Sequence, residues 1–196
     1  ALSMVLHSAY IECVKIGLAL LELFGEPDEK LKEMIRRVGL YDEFTIFSVW
    51  NMQKWTNGNA EIFDLAKKTH SWGRVHAVER LEPETEEIRR WLLTDGTVND
   101  VMNAYSALPC WEKSQAEKIL FGNPSREEYK AIMTIMEGLL DEGPVPGISS
   151  IENAEQILLR FLEITPDYEL TADDYDVILS VRQWAEDKEK PILSVA

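Results

Sequence analysis

Cysteine, positive charge and strand-like alternation are all scarce in this chain, and each shortage removes a class of explanation. Its 196 residues hold two cysteines, Cys13 and Cys110. They sit 97 residues apart, which makes neither a metal-ligand spacing nor a disulfide framework. A reducing, cytoplasmic setting is expected from that usage. Lys and Arg number 20 against 35 Asp and Glu, for a net charge of -15. Phosphate backbones are held by cations, so this balance disfavours nucleic acid. It disfavours an anionic membrane surface for the same reason. Glycine-rich phosphate loops of the Gly-x-Gly-x-x-Gly or Walker type are missing, which leaves nucleotide chemistry without support. The most apolar run, Val14 to Phe24, is broken by Lys15 and Glu22 and is too short to span a bilayer. The N-terminus has no basic stretch or Ala-x-Ala site, so a secretory leader is not expected.

What remains is helical periodicity. Apolar residues recur at i, i+3 and i+4 almost throughout, whereas period-2 alternation of β-branched and aromatic residues is nowhere sustained. The pattern predicts one all-α domain of about eleven helices without a sheet. Its parts are an N-terminal cap over 1–56, a repeat region over 57–142 and an acidic C-terminal cap over 148–196. The first helix is expected from near Met4 to Phe24, the second from Asp28 to Gly39 with Leu31, Met34, Ile35 and Val38 on one stripe, and a third over 42–55 carrying Phe44, Phe47, Trp50 and Trp55. Five helices are expected at 59–69, 72–81, 85–94, 98–108 and 112–121. Ser125 with Glu128 and Ser149 with Glu152 match the Ser-x-x-Glu capping box, opening helices over 125–141 and 150–164. Ser114 with Glu117 matches it too, although Ser114 also suits a helix interior opened near Trp111. Gly143 to Gly147, with Pro144 and Pro146, marks a joint, and a last acidic helix is expected over 173–187.

Within this pattern an echo returns every 27 residues: Val75-His76-Ala77-Val78, Met102-Asn103-Ala104-Tyr105 and Tyr129-Lys130-Ala131-Ile132, each followed by Leu81, Leu108 or Ile135. A second echo links Leu65-Ala66, Leu92-Leu93 and Ile119-Leu120. Two short helices and two turns fill about that length, and helices so short must bury their stripes against neighbours. The recurring alanine is expected at points of close helix approach.

The segment from Trp72 to Leu93 resembles a short bacterial HEAT-like repeat, carried by Arg74, Ala77, Leu81, Pro83, Leu92 and Leu93. The next unit keeps Ala104, Leu108, Ile119 and Leu120, with Pro109 arriving early. The resemblance implies an α-α superhelix, a short solenoid used mainly as a binding scaffold. A few members of that family are enzymes, among them DNA glycosylases and bilin lyases, and no motif here carries either activity over.

Candidate chemistry is thin. His76 and Glu79 share a helix face with His70 nearby, but zinc needs three or four ligands, so an ordinary polar face and no metal is expected. Glu86-Glu87 and Asp173-Asp174 are adjacent acids at different azimuths, the pattern of solvated carboxylates. Cys110 beside Trp111 reads as a buried thiol. No cofactor is expected. Tryptophan with arginine is a frequent interface pairing, and Trp72, Arg74, His76 and Arg80 bring those types together as partner-binding candidates. The expected function is therefore a non-catalytic scaffold for a protein or peptide partner. The acid excess suits a basic one and equally serves solubility. A base-excision enzyme on the same scaffold, and a compact helical regulatory or immunity-type domain, are the alternatives.

Overall fold

The computed structural model describes residues 1–143 and 145–187. Among these every regular element is helical, with twelve α-helices, three short 3-10 helices and no strand. The all-α expectation holds. No helix of the described residues is long and apolar enough to cross a membrane. The chain divides into two compact units, Ala1–Glu82 with Asn99–Val101, and Pro83–Val98 with the described residues from Met102 onward. This division falls inside the segment expected to hold the repeats. The joint expected around Gly143 includes Pro144, which lies outside the described residues.

The first unit contains α1 (Leu2–His7), α2 (Ile11–Leu21), a 3-10 turn (Glu22–Phe24), α3 (Glu29–Val38), α4 (Asp42–Met52), α5 (Gly58–Lys68) and α6 (Ser71–Arg80). The single first helix expected from Met4 to Phe24 is broken at Ser8. There the Ser8 hydroxyl oxygen accepts from the Tyr10 amide at 3.1 Å, and Ser8 is extended. A local side-chain bond of this kind offers the backbone an alternative to the helical ladder. The start of α3 follows the sequence closely, since the Asp28 carboxylate caps it by accepting from the Leu31 amide.

Helix α4 lies at the centre of this unit, against α2, α3, α5 and α6. Its buried side is Thr45, Ser48, Val49, Asn51 and Met52, whereas Phe44, Phe47 and Trp50 are half-buried and Trp55, buried, lies beyond the helix end. Small polar side chains serve here because the neighbours come close. A Cβ at Gly39 would meet the Ser48 Cβ at 2.9 Å, and one at Gly73 would meet Asp42 and Thr45 oxygens at 2.8 Å. Two of the three polar side chains are bonded: the Thr45 hydroxyl donates to the Gly39 carbonyl, and the Asn51 amide donates to the carbonyls of Leu18 and Phe47, whereas the Ser48 hydroxyl has no hydrogen-bond partner among the described residues. Bonds of that kind offset the cost of burying polar atoms.

The second unit contains α7 (Glu86–Thr94), α8 (Ala104–Ser114), α9 (Ala116–Phe121), α10 (Arg126–Leu140), a 3-10 turn (Ile148–Ser150), α11 (Ala154–Ile164), a further 3-10 turn (Thr165–Asp167) and α12 (Ala172–Asp187). The helix expected over 98–108 is displaced. Its first half is a loop in which the Asn99 side chain accepts from the Val101 amide, and Asp100 takes a left-handed φ of 63°. The helix then runs through Pro109, which lacks an N–H and so forgoes a single rung, and continues to Ser114. Gln115, at φ 61° and ψ 37°, separates α8 from α9, so the expected 112–121 helix is two helices with a left-handed joint.

Ala77, Ala104 and Ala131 are all buried, as expected of close-approach positions. They do not occupy matching places, however: Ala77 is well inside α6, Ala104 is the first residue of α8 and Ala131 lies in the first half of α10.

Helix α10 organises the second unit, packing on α7, α8 and α12, and its start is the full Ser125–Glu128 capping box. Its contact with α8 is the closest, since a Cβ at Gly138 would meet the Ala107 Cβ at 2.7 Å and the Asn103 carbonyl carbon at 3.0 Å. At the other end Tyr129 stacks on Tyr168 with ring centroids 3.9 Å apart, and its hydroxyl pairs with Thr165 at 2.7 Å. Burial pushes that phenol up to about 12, although the Thr165 bond opposes the shift.

Gly138→Ala tests the α8–α10 contact by its sign. In an open helix the change would stabilise by about 0.5–1 kcal/mol. Here the added methyl must displace Ala107 or the Asn103 backbone, so a loss of about 1–3 kcal/mol is expected in urea denaturation. A raised midpoint would contradict the contact.

Candidate functional site

The four residues singled out by the sequence all lie on α6, in the first unit, but they do not form one surface. Trp72, His76 and Arg80 follow one another turn by turn, and the Trp72 and His76 rings stand 6.3 Å apart with a 31° tilt. Trp72 is 43% exposed. Arg74 leaves the helix roughly 160° away from His76, as two residues of rotation require. Its Nε donates to the Thr69 carbonyl at 2.9 Å, tying the start of α6 to the end of α5. Arg80 pairs with its neighbour Glu79.

His76 is half-buried and its Nδ1 has no hydrogen-bond partner among the described residues. Burial pushes the imidazole below its ordinary range, and the charge of Arg80 adds to the effect. The carboxylates of Glu79 and Asp42 oppose it without reversing it. No group of three metal-ligating side chains is found among the described residues, and His70 instead faces Asp100 at 3.2 Å, both exposed.

Each unit has a cleft of ligand size, and their electrostatics differ. In the first unit a cleft of about 420 Å³ lies among Glu33, Arg36, Arg37, Glu61, Asp64 and Lys68. Its charges are already used. Arg36 holds the Glu61 carboxylate with two hydrogen bonds at 2.8 and 2.6 Å, Arg37 pairs with Glu33, and Lys67 and Lys68 both reach Asp64. A compensated network of this kind is what an ordinary helix-helix seam presents to water.

The cleft of the second unit is larger, about 640 Å³, within the range of sites that bind small ligands or anchor side chains. Its lining is contributed by the end of α8, by α9 and by the segment leading into α11. Trp111, only 3% exposed, forms part of the floor, while Phe121, 48% exposed, and Ile151 stand at its sides. Among the described residues Glu112, Glu117 and Glu152 line it with a single cation, Lys118. Glu117 accepts a hydrogen bond from the Asn153 amide at 2.7 Å, whereas the carboxylates of Glu112 and Glu152 have neither a hydrogen bond nor an ion pair among the described residues. A neighbouring hollow of about 470 Å³ shares Ile151, Glu152 and Asn153 and adds Glu155 and Trp184. Trp184 is held there by its indole N–H, which donates to the Ser149 hydroxyl, and that hydroxyl donates to Glu142.

That hydrogen-bonded relay corrects the capping expectation at Ser149. Glu142 takes both the Ser149 hydroxyl and its amide, so Ser149 is not available to cap α11, and Asn153 stands at the cap position instead. Glu152, expected to close a capping box, is thereby left at the rim of the cleft. Sequence reasoning missed Glu112, Phe121, Ile151 and Glu152. The nearest signal was the acid-and-aromatic sequence from Trp111 to Phe121. Comparison with models of protein families, with curated proteins and with solved structures returned no match to this chain.

The His76 environment carries a pH prediction. Its folded-state pKa lies below the unfolded value near 6.5, so the associated stability is complete above that pH and is lost progressively as pH falls below it and through the lower folded-state value. Between about pH 7 and about pH 5.5 the urea midpoint of the wild type is expected to fall more steeply than that of His76→Gln. Parallel pH profiles would contradict the assignment.

Proposed function

We propose that the chain is a non-catalytic, HEAT-like helical module that binds a protein or peptide partner, and that it does so through the cleft of its second unit. The observation that carries this reading is the pairing of a half-exposed Phe121 with a buried Trp111 floor in an open cleft of ligand size. Aromatic side chains supply large apolar contact areas at low entropic cost, which is why they anchor interfaces. The α6 group of Trp72, Arg74, His76 and Arg80 gives less support to a single binding face, because Arg74 is engaged with the backbone of Thr69. A DNA base-excision activity is the weaker alternative, since the carboxylates that line the cleft would repel a phosphate backbone.

The test is selection from a random peptide library on the immobilised chain. Enriched peptides are expected to lose about tenfold or more in affinity on Phe121→Asp combined with Ile151→Asp, the scale of losing one buried apolar contact. The urea midpoint of that variant should stay close to wild type, because neither side chain is buried. Absence of enrichment, or binding that survives the substitutions in a folded variant, would contradict the proposal.

A further inference from the structure

We infer that the occupant of this cleft is a basic segment of a partner protein, with bulky apolar residues seated against Trp111 and Trp184 and Lys or Arg set opposite Glu112 and Glu152. The inference rests on the peptide-binding reading above and adds the chemistry of the partner.

Charge complementarity carries it. The carboxylates lining the first unit's cleft are each met by an Arg or Lys of the same unit. The second cleft has the opposite character: Glu112 and Glu152 are exposed and have no counter-ion among the described residues, and Lys118 is the only cation in its lining. The adjoining hollow contributes no cation among its described lining residues. Acids at the rim of an apolar floor set up a field that attracts cations and suppresses acidic competitors. The floor then selects among cations, because a segment with apolar anchors buries area against Trp111 and Phe121 that an isolated small cation cannot. The continuity of the two hollows through Ile151, Glu152 and Asn153 places Glu152 beside both apolar floors, Trp111 on one side and Trp184 on the other. A cation between two apolar anchors is the sequence pattern that matches this order.

The experiment must separate local charge from the large overall acid excess. The probe is a short amphipathic peptide of lysine and leucine, compared with the glutamate and leucine peptide of the same pattern and with an uncharged glutamine counterpart. Two charge-reversed variants are compared: Glu112→Lys with Glu152→Lys, and Glu84→Lys with Glu87→Lys. The second pair is exposed, lies outside both hollows and changes the net charge equally. The lysine peptide is expected to bind the wild type and to lose about tenfold in affinity on reversal at the cleft, with a much smaller loss on the control reversal. Equal losses in the two variants would show attraction to net charge alone and overturn the inference. If the uncharged peptide binds the wild type as well as the lysine peptide does, and loses affinity on Phe121→Asp with Ile151→Asp but not on charge reversal, the cleft binds peptides without preferring basic ones. That result overturns the inference and leaves the peptide-binding reading standing. If no peptide binds, and library selection also fails, both fall together.

Discussion

The second unit depends on one steric constraint, the approach of α8 to α10 at Ala107 and Gly138. No side chain larger than a methyl separates the helices there, so their relative position is set by backbone against backbone. Interiors packed in this way respond to added volume by shifting whole elements. The contact fixes which side of α8 faces inward, and the rest of that face follows at helical spacing: Ala104, Cys110, Trp111 and Ser114 are all buried. Trp111 lies one turn beyond Ala107 and is thereby held in the floor of the cleft. Gln115 then turns the chain in a left-handed conformation that only a minority of non-glycine residues adopt. That turn starts α9 on a new course, which brings Glu117 and Phe121 to the same cleft.

The two clefts show how an acidic chain distributes its charge. In the first unit Arg and Lys are spent on neutralising carboxylates across helix seams, as in the Arg36 pair with Glu61. The exposed pairs, such as Arg37 with Glu33, contribute little stability each, whereas the part-buried, two-bonded Arg36–Glu61 pair has the geometry that contributes more; together they offset the carboxylate charge locally. In the second unit the Glu112 and Glu152 carboxylates along the Trp111 cleft have no counter-ion among the described residues, which is the basis of the recognition proposed for it. Apolar contact and an uncompensated field at one place are the ingredients of selective recognition.

Much of the architecture was legible because it rests on local rules. The start of α3 at Asp28 and of α10 at Ser125 follow from side-chain caps, and the burial of the recurring alanines follows from the need for close helix approach. The failures come from competing side-chain bonds that periodicity does not register. Ser8 and Asn99 hold their neighbours' amides and break helices that the apolar pattern would have continued. In α4 Ser48 and Thr45 are buried where Gly39 and Gly73 pack tightly and leave room only for small side chains, and Asn51 is buried with its amide on the Leu18 carbonyl, while the aromatic residues stay half-buried. The candidate site was least legible of all. Its residues come from α8, α9 and the approach to α11, and Glu152 resembled half of a capping box until Glu142 proved to be the partner of Ser149.

The most direct test of this account uses the tryptophan indole N–H resonances in a proton–nitrogen correlation spectrum, recorded as the lysine and leucine peptide is added. Trp111 and Trp184 belong to the proposed cleft, whereas Trp72 belongs to α6 in the other unit. The account predicts that the Trp111 and Trp184 resonances move together and saturate while Trp72 stays in place. Movement of Trp72 with the other two unchanged would contradict it and return the binding face to α6.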